Sequence, residues 1–185
     1  MKNLIVAVAT LAAATAGGLG LLDPAKATTG RHVGVVTASP GLVAHGTPST
    51  HSIRTGRFAH GARIELNCKV HATTVDGNSL WYLIVDHDST QWVSARYVRN
   101  VGSAPDFCDP SDGSFAGRAT ARVNQRAGAS TGDRIVGRFE RGDTVRAVCY
   151  TLASPDDRWI YTARGRWVYG GFVRVSTRLR YCLNR

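Results

Sequence analysis

Beyond its N-terminus the sequence has no long apolar run, and it has few lysines and few acidic residues. Only Lys2, Lys26 and Lys69 are lysine among the 23 cationic side chains of the 185 residues, and 13 side chains are acidic. The lack of apolar runs excludes a protein that crosses a membrane several times. The chain is too short for a barrel enzyme of about 250 residues. An apolar content of 43% excludes wholesale disorder.

The N-terminal segment has the pattern of an export signal. Residues 1–3 are a short basic start, residues 4–16 are uncharged and apolar, and Ala25-Lys26-Ala27 supplies small residues at the two positions that a signal peptidase reads. We predict a signal peptide over residues 1–27, with Ala14-Thr15-Ala16 as a second cleavage site. Removal of 27 of the 185 residues leaves 158 with a net charge of +9. Such a protein is secreted, and no stable membrane insertion is expected after cleavage.

Two alternatives to a cleaved signal are a membrane anchor and a lipid anchor. An uncleaved anchor is conceivable because residues 4–22 are long enough to span a bilayer, but their glycines and alanines make that span weakly hydrophobic. No cysteine follows the apolar run, so a lipid anchor has no attachment residue. Export also permits disulfide bonds.

The exported part contains one sequence unit written twice. At an offset of 81 residues, Gly56-Arg57-Phe58 matches Gly137-Arg138-Phe139, and further identities follow. The same offset matches Gly61 with Gly142 and Cys68 with Cys149. It falls to 78 for Trp81 with Trp159 and to 75 for Trp92 with Trp167, because the first copy has longer loops. All four tryptophans therefore occupy matched positions, which chance rarely produces.

Each copy reads as a series of short strands. Segments such as residues 80–85 and 159–162 are rich in aromatic and β-branched residues, and no helical period is sustained after residue 27. We predict an all-β protein of two small barrels, over residues 33–108 and 118–185. Residues 109–117, rich in Gly, Ser, Pro and Asp, form the predicted linker.

Four cysteines allow three disulfide pairings. Cys68 and Cys149 lie at matched strand positions, and Cys108 and Cys182 follow the last predicted strand of each copy. Only Cys68–Cys108 with Cys149–Cys182 treats the copies alike, so we predict one disulfide in each barrel. The alternative is a zinc site, but no two cysteines have the spacing of two to four residues that such sites use.

Residues 122–131, Arg-Val-Asn-Gln-Arg-Ala-Gly-Ala-Ser-Thr, resemble the opening of the bacterial SH3-like (SH3b) domain. The later Trp159 and Trp167-Val168 fit the same family, and the first copy is a more divergent match that lacks the Asn-x-Arg element. The resemblance implies two SH3-like β-barrels in tandem. It also implies a non-catalytic module that targets secreted proteins to the bacterial cell wall, often through the peptidoglycan peptide. The high arginine share is typical of a GC-rich bacterium such as an actinomycete.

Catalytic groups are scarce. All six histidines lie in the first copy, and the cysteines are assigned to disulfides, so a duplicated active site is not expected. His71, Asp86 and His87 fall in predicted loops without metal-ligand spacing, and Asp156-Asp157 reads as a solvated turn. We therefore predict no enzyme, no metal and no cofactor.

Aromatic side chains are the better candidates for a binding site. Trp81 and Trp159 are expected to fill the two barrels. A strip of aromatic residues on a barrel face can bind a peptide or a glycan. The candidate ligand-binding residues are Trp92, Tyr97, Tyr161, Trp167, Tyr169 and Phe172. The alternative for Trp92 and Trp167 is a structural role in closing the end of each barrel.

Positive charge is concentrated in the second half, with a net +6 over residues 106–185 against +3 over residues 28–105. A basic secreted surface suits polyanions of the cell wall or acidic proteins, and a solvated face without a partner is the alternative. We predict a secreted, non-catalytic protein that attaches to the cell wall, and no nucleic acid partner. The alternative function is an extracellular protein-binding or inhibitory module that acts on a secreted hydrolase or another protein.

Overall fold

A computed structural model describes residues 32–86, 89–108, 113–175 and 179–184. Within these ranges the regular elements are β-strands, apart from two single turns of 3-10 helix. The prediction of an all-β protein is confirmed. No helix in the described ranges is long and apolar enough to cross a membrane. The predicted signal peptide lies outside the described residues.

The first half forms two antiparallel sheets among its described residues. One has the strand order β4-β1-β8 and the other the order β3-β2-β7-β6-β5. The elements are β1 (His32–Val36), β2 (Gly41–His45), β3 (Arg54–Ala59), β4 (Arg63–Leu66), β5 (Cys68–Val75), β6 (Asn78–Asp86), β7 (Ser89–Ser94), the 3-10 turn η1 (Ala95–Tyr97) and β8 (Val98–Val101).

The second half forms one antiparallel sheet with the strand order β11-β10-β14-β13-β12-β9-β15. Its elements are β9 (Phe115–Ala119), β10 (Val123–Arg126), β11 (Ile135–Phe139), β12 (Thr144–Ser154), β13 (Asp157–Thr162), β14 (Trp167–Tyr169), the 3-10 turn η2 (Gly170–Phe172) and β15 (Val173–Val175). Strand β9 begins at Phe115, inside the segment predicted as a linker.

The two halves have the same order of elements and the same strand pairings, with one difference. Strand β12 is continuous over 11 residues, whereas its counterpart in the first half is divided at Asn67 into β4 and β5. The Asn67 side chain uses this break to hold the second half. Its Nδ2 donates to the Asn184 carbonyl at 2.9 Å, and its Oδ1 accepts from the Asn184 backbone N–H at 2.8 Å.

Each half has its own apolar core. The core of the first half consists of Val36, Leu42, Ala44, Ile64, Leu66, Tyr82, Ile84, Val93, Ala95 and Val98. The core of the second half consists of Ala119, Val123, Val145, Ala147, Ile160, Val168, Val173 and Leu179. These clusters lie inside the curled sheets, as expected for small β-barrel-like domains.

A third cluster, the shared core, lies between the halves. It contains Cys68, Val70, Ala72, Trp81, Leu83, Trp92, Cys108, Ala129, Cys149, Trp159, Tyr161, Trp167 and Cys182. Because strand side chains alternate between the two faces of a sheet, β6 sends Tyr82 and Ile84 into its own barrel and Trp81 and Leu83 into the shared core. Trp81 and Trp159 are buried as expected, but they pack between the barrels rather than within them.

Two indole N–H groups connect the halves in a reciprocal way. Trp92 Nε1 donates to Thr151 Oγ1 at 3.2 Å, and Trp167 Nε1 donates to the His71 carbonyl at 2.9 Å. Each half therefore supplies a tryptophan that donates to the other half. Buried polar groups need such partners, because an unpaired one costs about 1–3 kcal/mol.

Both predicted disulfides are confirmed. Cys68–Cys108 and Cys149–Cys182 join residues 40 and 33 positions apart, each within its own half. Loops of this length give about 4 kcal/mol each in the chain-entropy model. Because all four sulfurs lie in the shared core, the two bonds also fix the segments that border it.

The reciprocal bonds predict a large effect of a small change at Thr151. Thr151→Val keeps the shape of this buried residue but leaves the Trp92 indole N–H without its acceptor. We expect the free energy of unfolding, measured by urea denaturation, to fall by about 1–3 kcal/mol.

Thr90→Val is the matched control, because the exposed Thr90 hydroxyl is hydrogen-bonded to the same Tyr181 hydroxyl as Thr151. We expect the control to change the free energy by no more than about 0.5 kcal/mol. Equal effects of the two variants would contradict a stabilising role for the buried Trp92–Thr151 bond in particular, since Thr90 and Tyr181 also belong to different halves.

Candidate functional site

A groove of about 550 Å³ opens where the two halves meet. The first half lines it with His71, Phe107 and Cys108, and the second half lines it with Gly113, Ser114, Val148, Tyr161, Thr162, Ala163, Arg164 and Gly165. Its volume is in the range of natural ligand sites, about 300–1,000 Å³. Both halves are needed to form it.

Phe107 forms an exposed apolar part of the groove wall and is held there by the neighbouring disulfide. The Cys68–Cys108 bond brings the chain beside Lys69, whose backbone N–H donates to Asp106 and whose carbonyl accepts from Cys108, both at 2.9 Å. The Phe107 ring is 43% exposed, and the Lys69 ammonium lies 5.0 Å from its centre. The disulfide thus places an aromatic face beside a cation.

His71 connects the groove to the shared core. Its ring centre lies 5.2 Å from that of Phe107, and its Nδ1 is hydrogen-bonded to Ser79 Oγ at 3.0 Å. Its backbone N–H donates to the Tyr161 hydroxyl at 3.1 Å, and its carbonyl accepts from Trp167. The backbone of one residue is therefore held by two side chains of the opposite half.

The second half contributes Tyr161 and a tight turn that carries Arg164. Burial raises the pKa of the Tyr161 phenol, which therefore stays neutral at physiological pH. Gly165 has a φ of +67°, a left-handed conformation that glycine adopts without strain. The turn closes with Thr162 N–H donating to Arg166 O at 2.8 Å and leaves the Arg164 side chain exposed.

The groove therefore combines aromatic surfaces with cations at its edge. Phe107 and His71 offer flat rings for apolar or stacking contact, and Arg164 and Lys69 supply positive charge. Such a site can take a flat or aliphatic ligand that carries a carboxylate. Across the described ranges, no group of three His, Cys, Asp or Glu side chains is placed to hold a metal ion.

Two of the predicted ligand-binding residues require correction. Trp92 and Trp167 are 0% exposed, because their rings fill the shared core and their N–H groups bond across it. Neither ring is available to a ligand. Their polar-flanked strands suggested surface positions, but the partner half covers that face of the sheet.

The other predicted aromatic residues lie in three places. Tyr161 lines the groove. Tyr169 is half-buried between Trp159 and Phe172, with ring centres 5.8 and 5.7 Å away, and Phe172 is 44% exposed. Tyr97 donates its hydroxyl proton to the Asp76 carboxylate, away from the other candidates. Tyr169 and Phe172 remain an aromatic pair on the surface of the second half.

The candidate acid and base residues are dispersed. His71 lies on strand β5 rather than in the predicted loop, Asp86 ends β6, and His87 lies outside the described residues. Asp156 is an exposed turn residue, as predicted, whereas Asp157 begins strand β13.

One histidine does contact a carboxylate. His51 Nδ1 lies 3.3 Å from Oδ1 of the buried Asp133, whose same oxygen accepts from Thr73 Oγ1. Over the described part of the chain, no hydroxyl or thiol is hydrogen-bonded to the His51 ring. The contact joins the two halves.

Sequence reasoning missed Phe107, although the sequence carries a signal for it. An aromatic residue directly precedes the second cysteine of each copy, Phe107 before Cys108 and Tyr181 before Cys182. Each lies beside its own β-strand in a parallel bridge, Phe107 with Lys69 and Tyr181 with Tyr150. The matched pair indicates that both disulfides present an aromatic ring at the junction of the halves.

No family model and no curated protein matches the chain. Among solved structures, it is similar to NlpC2 from Trichomonas vaginalis, with 9% identity and a TM-score of 0.29 over 78% of this chain and 47% of that one. It is also similar to the endolysin LysPBC5 CBD, with 12% identity and a TM-score of 0.29 over 79% of this chain and 94% of that one. The chain thus spans about half of the NlpC2 structure, and TM-scores of this size do not establish a common fold.

His45 lies behind the shared core and has a lowered pKa. It is buried, its ring meets Trp81 edge to face at 5.5 Å, and its Nδ1 donates to the Ser52 carbonyl at 3.4 Å. Burial lowers its pKa from 6.5, an effect that the nearby Arg54 reinforces and the Ser52 carbonyl opposes. At neutral pH the folded protein therefore holds His45 neutral.

This displaced pKa predicts a loss of stability in mild acid. Because the pKa is lower in the folded state, the unfolded chain takes up a proton first, so the stability contribution is complete above pH 6.5 and is lost as the pH falls through the folded value. We expect the free energy of unfolding to fall from pH 7.5 to pH 5 less steeply in His45→Gln than in the wild type. Parallel pH profiles for the two proteins would contradict this.

Proposed function

We propose that this chain is a secreted, non-catalytic protein that attaches to the bacterial cell wall by binding peptidoglycan peptide in the groove between its halves. The observation that carries the proposal is the groove itself, with Phe107 and His71 as aromatic surfaces and Arg164 at its edge. The predicted export signal and the SH3b-like sequence pattern support the same function.

The groove chemistry suits a short peptide with aliphatic side chains and a free carboxylate. Methyl and methylene groups can pack on the half-exposed Phe107 ring, and the Arg164 guanidinium can pair with a carboxylate. The peptides of peptidoglycan combine these two features. The neutral Tyr161 hydroxyl, already engaged by the His71 N–H, gives the inner wall a fixed polar atom.

The rigidity of the groove supports binding as well. The disulfide holds Phe107, and two side chains of the second half hold the His71 backbone. A site with little freedom loses little entropy when a ligand binds, so more of the contact energy appears as affinity.

The groove is tested by retention on purified peptidoglycan from which anionic polymers have been removed. At 0.3 M NaCl, where exposed charges are strongly screened, we expect the wild type to be retained and Phe107→Ala to be retained at least about fivefold less. Loss of the ring removes apolar contact worth about 1 kcal/mol or more.

Phe172→Ala is the matched control, because Phe172 is 44% exposed against 43% for Phe107 but does not line the groove. Unfolding curves must show that both variants fold. Loss of retention in Phe172→Ala alone would move the site to the Tyr169–Phe172 pair, and loss in neither would remove the groove from the proposal.

The non-catalytic part of the proposal has a separate test. The purified protein, incubated with peptidoglycan over a day, is expected to release no soluble sugar or peptide fragments and to leave the turbidity unchanged. A hydrolase of known activity serves as the positive control. Release of reducing ends or free amino groups above the blank would overturn this part and leave the binding result unaffected.

An extracellular protein partner is the second candidate function. The observation that favours it is the exposure of two large aliphatic side chains, Ile53 at 65% and Ile135 at 49%. In this alternative the protein binds or inhibits a secreted hydrolase or another protein. A stoichiometric partner that co-purifies from culture medium, together with no retention on peptidoglycan, would favour it over wall binding.

A further inference from the structure

Three arginines share the outer face of one sheet in the second half. Strands β9, β12 and β15 alternate between buried and exposed residues, and Arg118, Arg146 and Arg174 occupy exposed positions on them. Their buried neighbours Val145 and Val173 point into the barrel. These three side chains, named here the arginine face, do not line the groove, although the Arg146 carbonyl accepts from the backbone N–H of Ala163 in the groove wall at 2.9 Å.

The strand register brings the three together. Arg118 on β9 lies directly opposite Arg174 on β15 and, on its other side, opposite Thr144 on β12. Arg146 is two residues beyond Thr144 and so lies on the same face of the sheet. With neighbouring strands about 4.8 Å apart, the arginine face spans roughly 10 Å across three strands.

The positive charge of this face is not neutralised by neighbouring acids. Within the described ranges, none of the three guanidinium groups forms an ion pair, and Arg118 Nη1 donates to the Gly142 carbonyl at 2.7 Å. The nearby Asp143 carboxylate accepts from the Glu140 backbone N–H. Like charges directly opposite on paired strands are destabilising, so the Arg118–Arg174 pair opposes folding unless an anion lies between them.

The first half does not share this arrangement. In the first half, Val35 on β1 lies opposite Arg63 on β4 and, on its other side, opposite Arg99 on β8. Strand β1 corresponds to β9, so Val35 occupies the place of Arg118. Glu65 lies two residues beyond Arg63 and occupies the place of Arg146. Arg99 does occupy the place of Arg174. Folding of this scaffold therefore does not require arginine at the positions of Arg118 and Arg146, and the group of three is particular to the second half.

We propose that the arginine face binds a linear polymer of phosphodiesters that carries no bases. Guanidinium groups bind phosphate oxygens in pairs and remain charged at all physiological pH values. Three of them across roughly 10 Å match successive charges of a polymer better than one small anion. The exposed positions between them hold Ala116 and Thr144 rather than aromatic rings, so the face offers no surface on which nucleic acid bases could stack.

The test uses the full chain with both disulfides formed and a synthetic poly(glycerol phosphate) as the probe. At 50 mM NaCl we expect Arg118→Gln/Arg174→Gln to bind the probe at least about tenfold more weakly than the wild type. The salt dependence of its log affinity should also be shallower by about two, one unit for each lost phosphate contact.

The control variant is Arg63→Gln/Arg99→Gln, which removes two arginines from the outer face of the matching sheet in the first half. We expect its affinity to stay within about twofold of the wild type. An equal loss in both variants would reduce the effect to net charge and overturn the proposal, as would a wild type that fails to bind the probe at 50 mM NaCl.

Two further measurements define the ligand and separate this site from the groove. Single-stranded DNA of equal charge should bind more weakly than the probe, and tighter binding of DNA would overturn the assignment to a polymer without bases. Phe107→Ala should bind the probe as the wild type does, because Phe107 is not on the arginine face. Loss in that variant would show that the probe occupies the groove and would overturn a second site.

Discussion

The burial of four indole rings between the two halves is the constraint on which the rest of the structure depends. Each half is too small for its own core to give more than a few kcal/mol. Its central strands are therefore apolar on both faces, with one face turned into the barrel and the other onto the partner half. Trp92 and Trp167 fix the relative position of the halves, because each donates its N–H to the opposite half.

The groove is a consequence of the same packing. Strand β5 reaches the second half through Trp167 and Tyr161, which both hold the backbone of His71. The Cys68–Cys108 disulfide then ties the segment that carries Phe107 to the edge of β5. A site formed in this way needs the disulfide as well as the apolar contacts between the halves. Neither half therefore contains it alone.

The sequence predicted the strands, the duplication and the disulfide pairing, because these follow from local residue patterns and from the symmetry of the two copies. It could not predict the destination of the tryptophans. In residues 81–84 all four side chains are buried, and a run without alternation indicates burial on both faces but does not identify what covers the second face. Phe107 was missed although the predicted Cys68–Cys108 disulfide brings it beside β5, because a disulfide between two residues does not show which way the neighbouring side chain faces.

The duplication also separates what folding requires from what binding can use. Positions that face the shared core are matched in both copies, as the paired tryptophans and cysteines show. Positions on the outer faces are not, since Val35 and Glu65 in one copy correspond to Arg118 and Arg146 in the other. A buried tryptophan cannot change without loss of packing and of a hydrogen bond, whereas an exposed strand position accepts many residues at little cost. The unmatched outer positions are therefore where the two copies are free to acquire different ligands, and the second copy has concentrated its positive charge there.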